Sequence, residues 1–436
     1  VRKEETYLVI TLWLLLLSNA LACQVSDVVA VSGFLSSVGV NQILLVWLVD
    51  MLLTILITGL QSLVVDRFNR VSLMGWMSCG YVLMLVILRL LFSLQAPHWL
   101  NYSLLYLLAE QQLLFFPLVF WILANDLFDM AQTKRLFPLI ATGSFVGQIL
   151  GLGLAAIAPT LLTQLQLKPE ELLSLNALVY LAAFLLIQSR LKGLKFRQTA
   201  QKRESAIATL TEAWSFVREV SSFRYLTIAV LAINVCLTVF EFHFLVVSNH
   251  VFSTAESYQR FYSLYRLGFT LVAFVIQVFL TSFFIKITGL KNSFLALPLA
   301  QLVGTFFMLL FPGIGGGIGG FSLSKLTQFT IDESARKSFQ AFVPEERRGR
   351  VSMFMDSYLF AIGTVIGCLA IGVIVLLGIR FNISTYFYAY LCIGLIASGG
   401  AIAAIIKMRS VYEKSLFNWK LKRRQRGKTI LDKLNL

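Results

Sequence analysis

A chain of 436 residues that is 58% hydrophobic, only 14% charged and of mean hydropathy +0.78 cannot coat itself as a soluble domain does, with about a quarter of its residues charged. A soluble enzyme, a nucleic-acid-binding domain and a disulfide scaffold are excluded. About twelve apolar runs of about 20 residues each have instead the length of helices that cross a hydrocarbon core.

The first run, 7–33, follows Arg2-Lys3 and passes Leu21-Ala22-Cys23, which mimics a leader cleavage site. Its apolar character continues through Val25 and Val28 to Phe34, so it is expected to be the first membrane helix. Further spans are expected at 42–65, 71–94, 100–124, 136–158 and 171–189. A basic connection, 190–224, separates these from spans at 225–248, 260–285, 291–311, 314–337, 351–378 and 384–406, and the tail 407–436 is basic again. Trp214, Phe216, Leu416 and Trp419 interleave with the basic residues of these two segments, as in amphipathic helices lying on anionic lipid. A solvated basic linker is the other reading. Cys23, Cys79, Cys236, Cys368 and Cys392 all lie in apolar runs, where cysteine acts as a small hydrophobe. The run Gly313–Gly320 lacks the Gly-Lys-Ser/Thr ending of a phosphate loop and is expected to be an outside turn.

The net charge of +15 comes from 37 Lys and Arg against 22 Asp and Glu. With the N-terminus inside, only Arg89, Lys168, Arg260, Arg266, Lys325 and Arg380 fall away from cytoplasmic loops and ends. Excess Lys and Arg marks the cytoplasmic side, so both termini are expected there and no nucleic acid is implied.

Gly147 and Gly151 recur 216 residues later as Gly363 and Gly367. The same offset carries Arg70 onto Lys286, Lys134 onto Arg350, Asp27 onto His243 and Asp50 onto Arg266, and brings Glu110 within one residue of Lys325. Small residues recur in every helix contact, but intramembrane charges are scarce, and their shared offset points to two homologous halves. The expected fold is an all-α membrane protein of about twelve transmembrane helices. The expected division is a six-helix bundle over 1–189, the linker 190–224, a second six-helix bundle over 225–406 and the tail 407–436.

Residues 59–70, ending Asp66-Arg67-Phe68-Asn69-Arg70, resemble the loop after the second helix of major facilitator transporters. The stretches Phe120-Trp121-Ile122-Leu123-Ala124-Asn125-Asp126 and Lys134-Arg135-Leu136-Phe137-Pro138-Leu139 resemble the bacterial and plastid ATP:ADP antiporters. So does 325–350, with Arg336-Lys337-Ser338-Phe339-Gln340 and Val343-Pro344. The resemblance covers nearly the whole chain. It implies two pseudo-symmetric bundles, nucleotide exchange, and a conformational role for Asp66, Arg67, Arg70, Lys134 and Arg135. The family's lysine in the tenth span is matched by Lys325, whereas the basic residue it places before the first-span aspartate is here Ser26, before Asp27. That departure bears on the substrate and leaves the fold untouched.

Charges and imidazoles within spans mark the candidate site: Asp27, Asp50, Arg89, Glu110, Glu241, His243, Arg266, Lys325 and Asp356. Helical rise puts Lys325 about 18 Å from the cytoplasmic Lys337, near the midplane, and Glu110 about 24 Å from Asp126. Asp356, about 9 Å past Arg350, is close to the interface. Substrate contacts are expected from Lys325, Glu110, Asp27, Glu241 and Arg89, and gating or coupling from His243, Asp50, Arg266 and Asp356. Arg89 and Arg266 lie toward the outer ends, where snorkelling or a structural pair also accounts for them. His243 reads equally as a packed, hydrogen-bonded ring or as a proton relay.

No catalytic triad, metal cluster or hydrolysis motif is present in the sequence, and neither enzyme activity nor a cofactor is expected. The expected function is alternating-access exchange of an anionic, nucleotide-like metabolite, in a bacterial inner membrane. The rivals are a proton-coupled carrier of another solute and a non-transporting membrane sensor or scaffold.

Overall fold

The computed structural model describes residues 3–64, 68–128, 130–192, 206–340, 343, 351–383 and 385–434, and every regular element among them is helical. In chain order these are α1 (Lys3–Ser37), α2 (Ile43–Val64), α3 (Arg70–Ser93), α4 (His98–Leu127), α5 (Met130–Gln164) and α6 (Leu172–Arg190). Next come α7 (Ala206–Glu219), α8 (Ser221–Val251), α9 (Ala255–Val275), α10 (Thr281–Thr288), α11 (Leu290–Ser293) and α12 (Ala296–Leu310). The last are α13 (Ile314–Thr327), α14 (Glu333–Gln340), α15 (Leu359–Arg380) and α16 (Tyr386–Leu434). Wide π-helical turns occupy Ile276–Leu280, Gln328–Asp332 and Phe354–Tyr358.

Ten helices among the described residues are long and apolar enough to cross a membrane. The other two expected spans are helical as well. Over the second lies α2, a 22-residue helix whose described apolar part is Ile43–Gly59. The tenth, 314–337, runs without a break through α13, a π turn and α14, and Asp332, Glu333, Arg336 and Lys337 end its apolar stretch. The basic connection 190–224 contains α7 and the start of α8, and 193–205 lie outside the described residues. The basic tail continues α16 without a break to Leu434.

The chain separates into two compact units. The first comprises Val1–Ser205 and Ser248–Val272, the second Ala206–Val247 and Ala273–Leu436. The end of α8 and most of α9 therefore group with the first unit, although they belong to the second half of the sequence. Three contacts hold them there. Arg266 is ion-paired with Asp27, Gln259 Nε2 donates to the carbonyl of Ala155 at 3.0 Å, and Tyr262 and Leu267 pack on Val28, Leu152 and Ala155.

Within the first unit α1 packs on α4, α5 and α6, α3 on α4 and α6, and α2 on α4. Glycines let α5 approach the α1 backbone: a Cβ on Gly151 would stand 2.6 Å from the carbonyl oxygen of Leu21. In the second unit Gly363 and Gly367 seat α15 on α8, where added Cβ atoms would stand 2.6 Å from Asn234 Cβ and 2.8 Å from Thr238 Cβ. The repeated glycine spacing thus does the same work in both units. Buried amides bind the first unit across α1, α4 and α6. Asn176 donates to Ser26 at 2.9 Å, Tyr180 to Asn19 at 2.8 Å, and Asn19 to the carbonyl of Gln112 at 3.2 Å. Leu83, Leu90, Phe279, Leu310 and Leu376 are exposed, as a face in contact with lipid tails requires. All five cysteines are free; Cys23, Cys236 and Cys368 are buried, while Cys79 and Cys392 are exposed.

Candidate functional site

The intramembrane charges form a separate constellation in each unit. In the first, Asp27 on α1 is ion-paired with Arg266 on α9, and the guanidinium lies 5.4 Å from the Tyr262 ring centroid. Arg266 and Glu110 both act electrostatically on Cys23, whose thiol contacts the carbonyl of Ala109. Asp27, Glu110 and Arg266 therefore gather around one level of α1. The offset makes Asp50 and Arg266 counterpart positions of the two halves; the ion-pair partner of Arg266 is Asp27. Asp50 stands apart on α2, fully buried, with Oδ1 unpartnered.

In the second unit Lys325 Nζ on α13 lies 3.2 Å from Glu241 Oε2 on α8. The ammonium is flanked by the rings of Phe321 and Phe329, one helical turn before and after it, at 5.6 and 5.8 Å. Such rings stabilise a cation without neutralising it. The pair is partly open, with 19% of the Lys325 side chain and 35% of the Glu241 side chain exposed. An ammonium in this setting can exchange its carboxylate for another anion without first being dug out of a core. His243, two residues past Glu241, is buried with Nδ1 3.0 Å from the Tyr390 hydroxyl and Nε2 unpartnered.

Arg89 lies outside both constellations. It forms an ion pair with Glu171, just before α6, and donates to Ser93 at 2.7 Å, so it ties the end of α3 to the start of α6. Asp356, on a π turn, joins a cluster at the far end of α14. Arg336 donates to Asp332 at 2.8 Å and to Asp356 at 3.2 Å, with Lys337 and Gln340 also on Asp356 at 3.3 and 3.1 Å. Of the loop residues, Arg70 pairs with Asp126 across α3 and α4, and Arg135 grips both oxygens of Glu5 at 2.7 and 2.8 Å. Asp66 and Arg67 lie outside the described residues; Lys134 lies on α5, but its side chain is not among those described.

Sequence reasoning missed Glu171, Glu5, Tyr390 and the Asp332–Arg336 pair. Only the last left a local signal, an acid and a base one helical turn apart. The others are partners across distant segments, invisible to spacing.

The family model of the TLC ATP/ADP transporters matches residues 81–314. Among solved structures the fold is similar to that of the nucleoside transporter NupG, at 14% identity and a TM-score of 0.65 over 92% of this chain and 98% of that one. A bacterial homologue of the iron transporter ferroportin in its inward-facing state is similar at 16% identity and a TM-score of 0.62, over 93% and 98% of the two chains. The POT family transporter PepTSo gives 12%, 0.61, 93% and 98%. No curated protein matches the sequence.

Proposed function

This chain belongs to the TLC ATP/ADP transporter family, and on that premise we propose that it exchanges an anionic, nucleotide-like metabolite by alternating access. It is an integral, multi-pass membrane transporter and not an enzyme. In the proposed architecture all twelve expected spans cross the bilayer as two pseudo-symmetric six-helix halves. Both termini are cytoplasmic, in a bacterial inner membrane, and the basic segments 190–224 and 407–436 rest on anionic lipid.

The observation that carries this reading is the Lys325–Glu241 pair. Lys325 holds Glu241 when the carrier is empty and the anionic part of the substrate when it is loaded. Removing either partner of such a pair leaves a charge without compensation, so substrate arrival and carboxylate release are coupled. The Asp27–Arg266 pair acts as a second switch, made in the state described above and released when the carrier changes state. Arg89, engaged with Glu171, serves as a structural strut.

The test is uptake of labelled ATP into proteoliposomes loaded with ADP. Uptake that depends on internal ADP supports exchange. Flux of another solute without nucleotide uptake gives a carrier of different substrate. Absence of any flux, in protein shown to be folded, overturns the reading in favour of a sensor or scaffold.

A further inference from the structure

Asp50 differs in its surroundings from Asp27, Glu241 and Asp356. Asp27, Glu241 and Asp356 each have a basic partner. Asp50 is 1% exposed, has no ion pair among the described residues, and leaves Oδ1 without a hydrogen-bond partner. It is the only charged residue of α2. One turn along the same helix Thr54 is buried too, and its hydroxyl makes no hydrogen bond, not even the usual one to the carbonyl four residues back. From α4, the helix that packs on α2, the Gln111 carboxamide comes up against Asp50, and neither of its polar atoms is otherwise engaged. The titratable groups of α4 are His98, Tyr102, Tyr106, Glu110 and Asp126. Of these Tyr102 donates to Glu170 and Asp126 binds Arg70. Glu110 adjoins Gln111 in sequence and acts on Cys23 of α1.

A carboxylate at this depth needs a cation or several donors, and the surroundings offer one amide and one hydroxyl. A neutral carboxyl needs less: its O–H donates to an amide or hydroxyl oxygen, and its carbonyl oxygen accepts from the amide N–H. Asp50, Thr54 and Gln111 carry that complementary set, idle. We propose that Asp50 is a proton-binding site, loaded with one proton in the state described here and discharged when the transport cycle admits water to it. The proton moves onto and off the carboxyl oxygen, and no other bond changes. Because the proposed substrate is anionic, a proton carried with it reduces the charge moved across the membrane. That consequence rests on the proposed exchange of nucleotides; the protonation itself does not.

Two measurements on the full chain in proteoliposomes keep these apart. The first is infrared difference spectroscopy between about pH 5 and pH 9, without substrate, which reports the carbonyl stretch of a protonated carboxyl. The band is expected near neutral pH, absent in Asp50→Asn, and displaced in frequency in Gln111→Leu, which removes the amide and keeps the acid. A band that survives Asp50→Asn, or none in the wild type, overturns the proposal whether or not nucleotides move. The second measurement follows internal pH with a trapped dye as external ATP is added to ADP-loaded vesicles. Proton movement with ATP in the wild type, lost in Asp50→Asn while counterflow of labelled nucleotide persists, supports coupling; nucleotide exchange with no proton movement overturns it. If the wild type moves no nucleotide, the nucleotide reading fails and the infrared result alone decides the proton site.

Discussion

Glu241 and Lys325 face each other from α8 and α13 at 3.2 Å, with the rings of Phe321 on α13 and Phe329 in the following π turn lying against the ammonium. Helical rise puts Lys325 about 18 Å from Lys337, and Glu241 is its competitor for any anionic ligand. Lys325→Gln is expected to reduce nucleotide exchange about a hundredfold, the worth of a hydrogen bond to a charged group. Membrane insertion and the thermal transition should remain. Lys325→Arg should recover only part of the rate, because a planar fork does not replace a compact ammonium. Exchange at the wild-type rate in the Gln variant, at matched protein level, removes Lys325 from the substrate path.

If Glu241 competes with substrate, removing its charge has a signature that a structural role does not produce. Glu241→Gln should lower KM and kcat together: the ligand binds an ammonium without a rival, and then leaves it slowly. Steady-state exchange kinetics over a range of external ATP decides this. A raised KM would make Glu241 a substrate contact instead.

The Asp27–Arg266 pair joins α1 to α9 and helps hold the 248–272 segment in the first unit. Asp27→Asn leaves the guanidinium without its carboxylate and is expected to cost about 3 kcal/mol, read as a drop of several degrees in detergent-solubilised protein. The double variant Asp27→Asn with Arg266→Gln should be more stable than the two single losses added together, because neither charge is then stranded. Additive losses would show that the two residues do not stabilise each other.

Arg336 is held between Asp332 and Asp356 at the far end of the tenth segment. Arg336→Ala strands two carboxylates and is expected to destabilise the protein by about 3 kcal/mol. Arg336→Lys keeps the charge but not the fork, and should fall between the two. Thermal unfolding of the three proteins side by side checks the order.

The proposed topology has its own test. Reporters fused after Leu436 and inserted between Gln164 and Pro169 should signal from opposite sides of the membrane. The same signal from both sites refutes cytoplasmic termini in a twelve-span chain.

How much of this was legible beforehand depends on range. The glycines of α5 and α15 announced themselves by spacing, and the structure puts them where α1 and α8 come closest. The family followed from the stretches around Asp126, Lys134 and Arg336, and the family model agrees over 81–314, which holds the first two. Lys325 and the other midspan charges stood out because a charge in an apolar run is rare whatever its partner. The shared offset makes counterparts of Asp50 and Arg266 but carries no record of their partners: Arg266 binds Asp27, and Asp50 binds no base among the described residues.

The sequence by itself determined the class, the helical segments, the family and which residues carry intramembrane charge. Each of these is written in runs of about 20 residues or in short motifs, because a helix in lipid must satisfy its backbone within its own segment. Only the tertiary structure decided the partners: Asp27 with Arg266, Lys325 with Glu241, Arg89 with Glu171, Arg135 with Glu5. It also decided that the tenth segment widens into a π turn and that the end of α8 and most of α9, 248–272, join the first unit. Side-chain pairing depends on which helix faces meet and at what depth. Packing between segments far apart in the chain sets both, and local periodicity carries no record of it.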